Sequence, residues 1–221
     1  QQVPIVFSSA GNPKTYTALL RSNGIKVVHV VSSAKFALKA QDAGCDAVVA
    51  EGFEAGGHNG REETTTMVLI PCVSKAVDIP VIAAGGIATG RQMLAALVLG
   101  ASAVQIGSRF VASVEASCHN NFKNAVIDAI EGETMLSLKA LTPVRLLKNN
   151  FYQQVQQAES ICASKKQLEE LLGRGRAKKG MFEGNMDDGE LEIGQVSSMI
   201  NNIKPAAEIL NEIWMEYNDL L

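Results

Sequence analysis

Three times in the first hundred residues a helical segment closes on a glycine that leads straight into an apolar run. The stretches are "SNGIKVV" at Gly24, "DAGCDAVV" at Gly44 and "VLGASAVQ" at Gly100. Glycine in that place ends a helix in a left-handed turn, and the Val, Ile and Ala that follow suit a strand. Helix, glycine, strand is the trace a βα repeat leaves in a sequence. Five runs read as strands on this basis: residues 3–9, 26–33, 46–52, 80–86 and 103–110. They are near-continuously apolar, as in a parallel sheet covered on both faces. The segments between them, "PKTYTALLRSNG", "SAKFALKAQDAG", "TTTMVLIPCVSKAV" and "TGRQMLAALVLG", carry helical patterns.

Repeated βα units build either a doubly wound sheet or a (β/α)8 TIM barrel. No GxGxxG follows the first strand, which counts against the dinucleotide-binding sheet. The fold expected is therefore an α/β (β/α)8 TIM barrel with a helical C-terminal extension. Only its last five βα units are expected in this chain, the first beginning at Gln1 with no initiator Met. About three N-terminal units are thus expected to be absent, leaving unpaired edges that invite aggregation. Residues 1–112 read as the C-terminal part of the barrel and 113–221 as a helical appendage whose last segments pack back on it. Within the appendage, "HNNFKNAVIDAIEG", "SLKALTPVRLLKNNFYQQVQQAE", "KKQLEELLG" and "PAAEILNEIWMEYNDLL" read as helices, with no further strand. Residues 174–194, "RGRAKKGMFEGNMDDGELEIG", read as a long irregular loop, a length more often functional than idle.

Charge and cysteine usage narrow the function. A net charge of -3 argues against a general nucleic-acid binder. The one basic cluster, "GRGRAKKG" at 173–180, reads first as an exposed loop and second as an anion contact. No apolar run reaches membrane-spanning length, and no signal peptide is expected to lead the chain. Cys45, Cys72, Cys118 and Cys162 show no CxxC pair or metal-ligand spacing; Cys45 and Cys72 read as small core residues, and a reducing cytoplasmic setting follows.

In a barrel, ligands bind at the C-terminal ends of the strands. There the fourth run ends "AAGGIATG" and the fifth "QIGSRF". Gly85, Gly86 and Gly107 would let backbone N–H groups approach a phosphate, Ser108 would add a hydroxyl, and the helix from about Thr89 would add its positive N-terminus. The plainer alternative is that these glycines only make tight turns. Of the three histidines, His29 reads as a satisfied core residue and His119 as a helix cap.

"AEGFEAGGHNG", "IPVIAAGGIATGR" and "GASAVQIGSRF", in this order and spacing, resemble the FMN-dependent family of nitronate monooxygenases (2-nitropropane dioxygenases) and enoyl-acyl-carrier-protein reductases II. "SSAGNP" (8–13) and "GELEIGQ" (189–195) fit as well. The resemblance covers nearly the whole chain and implies the barrel fold with a smaller helical domain. It implies that Gly86 and the run Gln105, Ile106, Gly107 and Ser108 hold the FMN phosphate end. Glu51 and Gly56 would line the flavin ring and ribityl side, and His58 matches the family's active-site histidine. Gly56 and Gly57 would let backbone lie against the flavin so that His58 projects over it and moves a proton near neutral pH.

Two activities share that scaffold. A nitronate monooxygenase oxidises alkyl nitronates with O2; an enoyl reductase passes hydride from NAD(P)H to an acyl thioester. "REETTTM" (61–67), "AAGGI" and "VQIGSRF" lean toward the reductase. An acidic acyl carrier protein would need basic surface, which Arg145, Lys148 and the "RGRAKK" loop could offer. A homodimer stays open, and so does a non-catalytic flavin-binding fragment.

Overall fold

The computed structural model describes residues 3–221. The apolar runs form β1 (Ile5–Ser8), β2 (Lys26–Val31), β3 (Ala47–Glu51), β5 (Val81–Ala84) and β6 (Ala103–Gln105), with a two-residue strand β4 (Gly57–His58) outside their sheet. Between them lie a 3-10 turn (Pro13–Thr15) and helices α1 (Thr17–Ser22), α2 (Ala34–Asp42), α3 (Thr66–Ser74) and α4 (Gly90–Val98). Every neighbouring pair is parallel and the order is β1-β2-β3-β5-β6. A doubly wound sheet reverses direction at a switch point, whereas this order follows the chain without reversal, as in the wall of a (β/α)8 barrel.

The glycine repeat has a common geometry. Gly24, Gly44 and Gly100 all have positive φ (74, 87 and 108°). The residue after each donates its N–H five places back: Ile25 to Leu20, Cys45 to Ala40 and Ala101 to Ala96, each at 3.1 Å. A side chain at those glycines would be strained, so the turn into each strand is written locally. Along the strands, Val27, Val31, Val48 and Ala83 pack with α2, α3 and α4, while Val28, Ala47, Val49 and Ala84 form a separate cluster. That alternation puts one set under the helices and the other on the opposite sheet face. Cys45 is buried as expected, but Cys72 is exposed. Helix α3 buries Thr66, Leu69, Ile70 and Val73, a stripe at spacings of three and four, and Cys72 falls outside it.

After β6 come α5 (Ser108–Val111) and α6 (Asn120–Ile127), then two strands where none was expected: β7 (Thr134–Ser137), which starts between two expected helices, and β8 (Val144–Leu147), inside the second of them. They pair antiparallel, and β4 joins the other edge of β8, giving a three-stranded sheet β4-β8-β7. Proline has no N–H to give and disfavours the helical region for the residue before it, so Pro143 breaks the expected helix at Thr142. Helix α7 (Asn150–Ser160) starts only where Asn149 caps it by accepting from Tyr152 N at 2.9 Å. Helix α8 (Lys165–Leu172) follows, opened by a Ser164–Gln167 capping box. The expected loop holds a π-helical turn (Lys178–Phe182); a 3-10 turn (Gln195–Met199) and α9 (Ala206–Asp219) complete the chain. Helix α9 lies against α4, and its Glu216 carboxylate accepts from Gly90 N at 2.7 Å.

Candidate active site

A cavity of about 230 Å³ opens at the C-terminal ends of β3, β5 and β6. Glu51 comes from the end of β3, Gly56 from the loop after it, Gly85 and Gly86 from the turn after β5, and Gln105, Gly107 and Ser108 from β6 and its turn. All of these expected site residues line the one cavity. The side chain of Ile106 turns away into the core beneath the helices. His58 is exposed and does not line the cavity; it sits in β4, opposite Val144.

Two glycine turns line this space. Gly86 (φ 71°) and Gly107 lie outside helix and strand, and no protein acceptor takes either N–H among the described residues. An added Cβ on Gly107 would have nothing within 4 Å. Unpartnered backbone N–H groups beside a cavity are what an anionic ligand satisfies. The N-terminus of α4 does not share that task. Gly90 N is taken by Glu216 and Gln92 N by Thr89 Oγ1 at 3.2 Å, and Ala88 N, just before the helix, by Gln92 Oε1 at 2.8 Å.

The carboxylates are set by burial. Glu51 is pushed up to about 7 because the wall desolvates it. Glu192, which lines the same cavity, is also raised by burial, with the charge of His58 pulling the other way. Glu190 next to it is pushed up to about 7 by burial and by Glu192, with Arg176 opposing. By contrast, Glu54 is fully engaged: Thr66 N donates to it at 3.0 Å and Thr66 Oγ1 lies 2.9 Å away, tying the β3 loop to the start of α3.

The far wall comes from residues 190–196, which sequence reasoning left without a role. Gly194 N donates to Ser108 Oγ at 2.9 Å, and Gln195 N to Glu54 O at 2.9 Å. Leu147 N donates to Leu191 O at 2.9 Å, fastening the segment to β8. Glu192, Ile193 and Val196 line the cavity, joined by Met181 from the π-helical turn and by Val111. The only sequence signal was the "GELEIGQ" likeness. The two glycines of "EAGGHNG" also gain a reason within the protein. A Cβ on Gly56 would lie 2.5 Å from Gly194 N and 2.6 Å from Ile193 Cα. Gly57 has φ 78°, and a Cβ there would lie 2.7 Å from Glu192 Oε2.

Other expected residues settle differently. Arg145 is only 1% exposed, so it offers no docking surface. Its guanidinium donates to Phe53 O at 3.0 and 3.1 Å and stacks 4.4 Å from the Phe53 ring, holding the loop that carries Gly56 and His58. Lys148 is exposed. Arg176 of the basic cluster is half-buried, donating to Leu171 O, Leu172 O and Asp188 O. His29 is buried with Nδ1 2.8 Å from Ser8 Oγ, and burial, then Lys39, keeps it below the usual imidazole range. His119 caps α6 by accepting from Asn121 N. Among the described residues no cluster of His, Cys, Asp and Glu could hold a metal, and no helix is long and apolar enough to cross a membrane.

Known proteins share this architecture. The structure of FabK from Thermotoga maritima superposes with a TM-score of 0.93 at 43% identity, over 99% of this chain and 69% of that one. The nitroalkane oxidase of Streptomyces ansochromogenes gives 0.79 at 30% identity, over 98% of this chain and 65% of that one. A probable nitronate monooxygenase of Staphylococcus saprophyticus is 32% identical over 95% of this chain, which spans 64% of that protein's length. The family model described as nitronate monooxygenase matches residues 1–216. This chain therefore belongs to the nitronate monooxygenase family.

Proposed function

We propose that the chain carries the FMN site and proton donor of a flavin-dependent reductase that takes hydride from NAD(P)H and reduces the double bond of an acyl thioester. The observation that carries the flavin reading is the pair of unpartnered N–H groups, Gly86 and Gly107, on neighbouring turns of one cavity. They would hold the phosphate with the Ser108 hydroxyl, while Glu51 and the Gly56 backbone would line the rest of the group. When bound, FMN supplies the two-electron chemistry that no side chain here can. His58 would give a proton from its imidazole to the carbon next to the thioester carbonyl, completing the reduction. Reductase is preferred because FabK, an enoyl-acyl-carrier-protein reductase II, is nearer in sequence than the nitroalkane oxidase, at 43% against 30%.

The second reading is nitronate oxidation with O2, favoured by the curated relatives named probable nitronate monooxygenase. One stopped-flow experiment on the full-length protein separates the two. Anaerobic oxidised enzyme is mixed with NADPH, NADH or an alkyl nitronate. Rapid bleaching of the flavin by a nicotinamide, with reoxidation by an enoyl thioester, supports the reductase. Bleaching by the nitronate alone overturns it in favour of the monooxygenase.

A further inference from the structure

The side chains that line the cavity include two carboxylates, Glu51 and Glu192, and no Lys, Arg or His. Neither carboxylate receives a hydrogen bond from the described residues. Glu192 occupies the more telling position. Its Oε2 lies against the Gly57 backbone, in the space a Cβ there would need, and the charge of His58, the residue after Gly57, acts on it. Glu192 thus lines the cavity and sits beside the backbone of the residue that precedes His58. The titratable groups beside it are His58, Glu190 and, across the cavity, Glu51. Once ionised, a carboxylate in a partly desolvated wall repels an incoming anion more strongly than it would in water.

We propose that Glu192 is a specificity-determining residue that excludes small anionic substrates from the His58 side of the cavity and admits substrates uncharged at the reacting end. This rests on the FMN reading above, and it deepens it. An acyl thioester is neutral at its reacting carbons, whereas an alkyl nitronate carries its charge there. The Glu192 carboxylate therefore sorts between the two substrate classes that the family's scaffold serves.

The test uses the full-length FMN-loaded protein and two inert probes of the same shape, isobutyrate and isobutyramide. Dissociation constants are read from the perturbation of the flavin absorption spectrum at about pH 9, well above the ordinary carboxylate range. The readout is the ratio of the two constants, anion over amide, which cancels effects of size and packing. Glu192→Gln is expected to lower that ratio about tenfold, as removal of a nearby like charge requires. Glu192→Asp, which keeps the charge, is expected to stay near the wild-type ratio. Glu192→Ala, which removes the contact with Gly57 as well, must move it in the same direction as Gln. A ratio unchanged in FMN-loaded Glu192→Gln, or both constants rising together, overturns the inference and leaves the flavin reading standing. A wild-type protein that takes up no FMN overturns the reading beneath it and the inference with it.

Discussion

Replacing Gly107 with alanine separates what a glycine does for the fold from what it does for a ligand. The residue has φ -100° and ψ -69°, a backbone open to any L-residue, and an added Cβ meets nothing within 4 Å. Folding alone therefore gives no reason for glycine here. Alanine should leave the stability of the flavin-free protein unchanged or raise it by about 0.4–1 kcal/mol, by narrowing the unfolded ensemble. With ligand the sign reverses. A methyl group at the turn holds the phosphate off the Gly107 N–H, and a charge-assisted hydrogen bond is worth about 1.5–3 kcal/mol. That corresponds to roughly 10- to 150-fold in the FMN dissociation constant. Gly56→Ala is the control, because its Cβ would lie 2.5 Å from Gly194 N, a backbone atom with no rotamer to yield. It should cost about 1–3 kcal/mol of stability or more, and lose flavin because the cavity wall shifts. The assays are urea denaturation of flavin-free protein and quenching of FMN fluorescence on binding, both on the full-length chain. Wild-type FMN affinity in Gly107→Ala would refute the phosphate placement, and destabilisation equal to that of Gly56→Ala would refute the argument about open space.

Three further outcomes follow from the geometry. His58→Ala should retain FMN, since His58 stands outside the cavity lining, yet lose turnover by about 100-fold or more; an unimpaired kcat in steady-state assays would remove its role. Glu51 is raised from 4.5 to about 7, so the folded state holds its proton more tightly than the unfolded one. Its stabilising contribution is fully present below about pH 4.5 and lost as pH rises through about 7, at most about 3 kcal/mol for the flavin-free protein. Glu51→Gln should flatten that slope between acid and neutral pH in urea titrations, and an unaltered slope would contradict the assignment. Arg145→Lys loses the paired donation to Phe53 O and the stacking on its ring, and should lower stability by about 1–3 kcal/mol with a matching fall in thermal midpoint.

What was legible in the sequence was what each residue's own backbone demanded. Gly24, Gly44 and Gly100 announce their turns because only glycine takes those φ values without strain. The cavity residues at the ends of β3, β5 and β6 were legible for a related reason, since a barrel places its site where strands end. Strands β7 and β8 were not. Val144, Arg145, Leu146 and Leu147 are all buried, so the alternation that marks a strand is missing from β8. Pro143, the decisive cue, stood in the middle of the supposed helix. Arg145 looked like a surface cation because nothing nearby in sequence marks it as buried; its acceptor, Phe53 O, lies 92 residues away. Glu192 was hidden in the same way: the bond that brings its segment to the site joins Gly194 to Ser108 across 86 residues. Such contacts have no local period to read.

The same contacts bear on the expected division of the chain into a barrel part and a helical appendage. The loop carrying Gly56 and His58 is gripped from three directions, all belonging to residues after 130. Arg145 of β8 holds Phe53 O, Gln195 N holds Glu54 O, and Asn59 N donates to Pro143 O at 2.8 Å. Strand β4 itself exists only as a partner of β8. Two glycines before the histidine are then required twice over. Gly56 makes room for Ile193 and Gly194, Gly57 makes room for Glu192 and takes the positive φ that starts β4, and the cavity inherits its far wall from the same approach. The position of His58 is therefore decided by the C-terminal half, while the cavity near it is framed by strand ends of the barrel. A substitution in β8 or in residues 190–195 acts on the site as directly as one in the barrel turns.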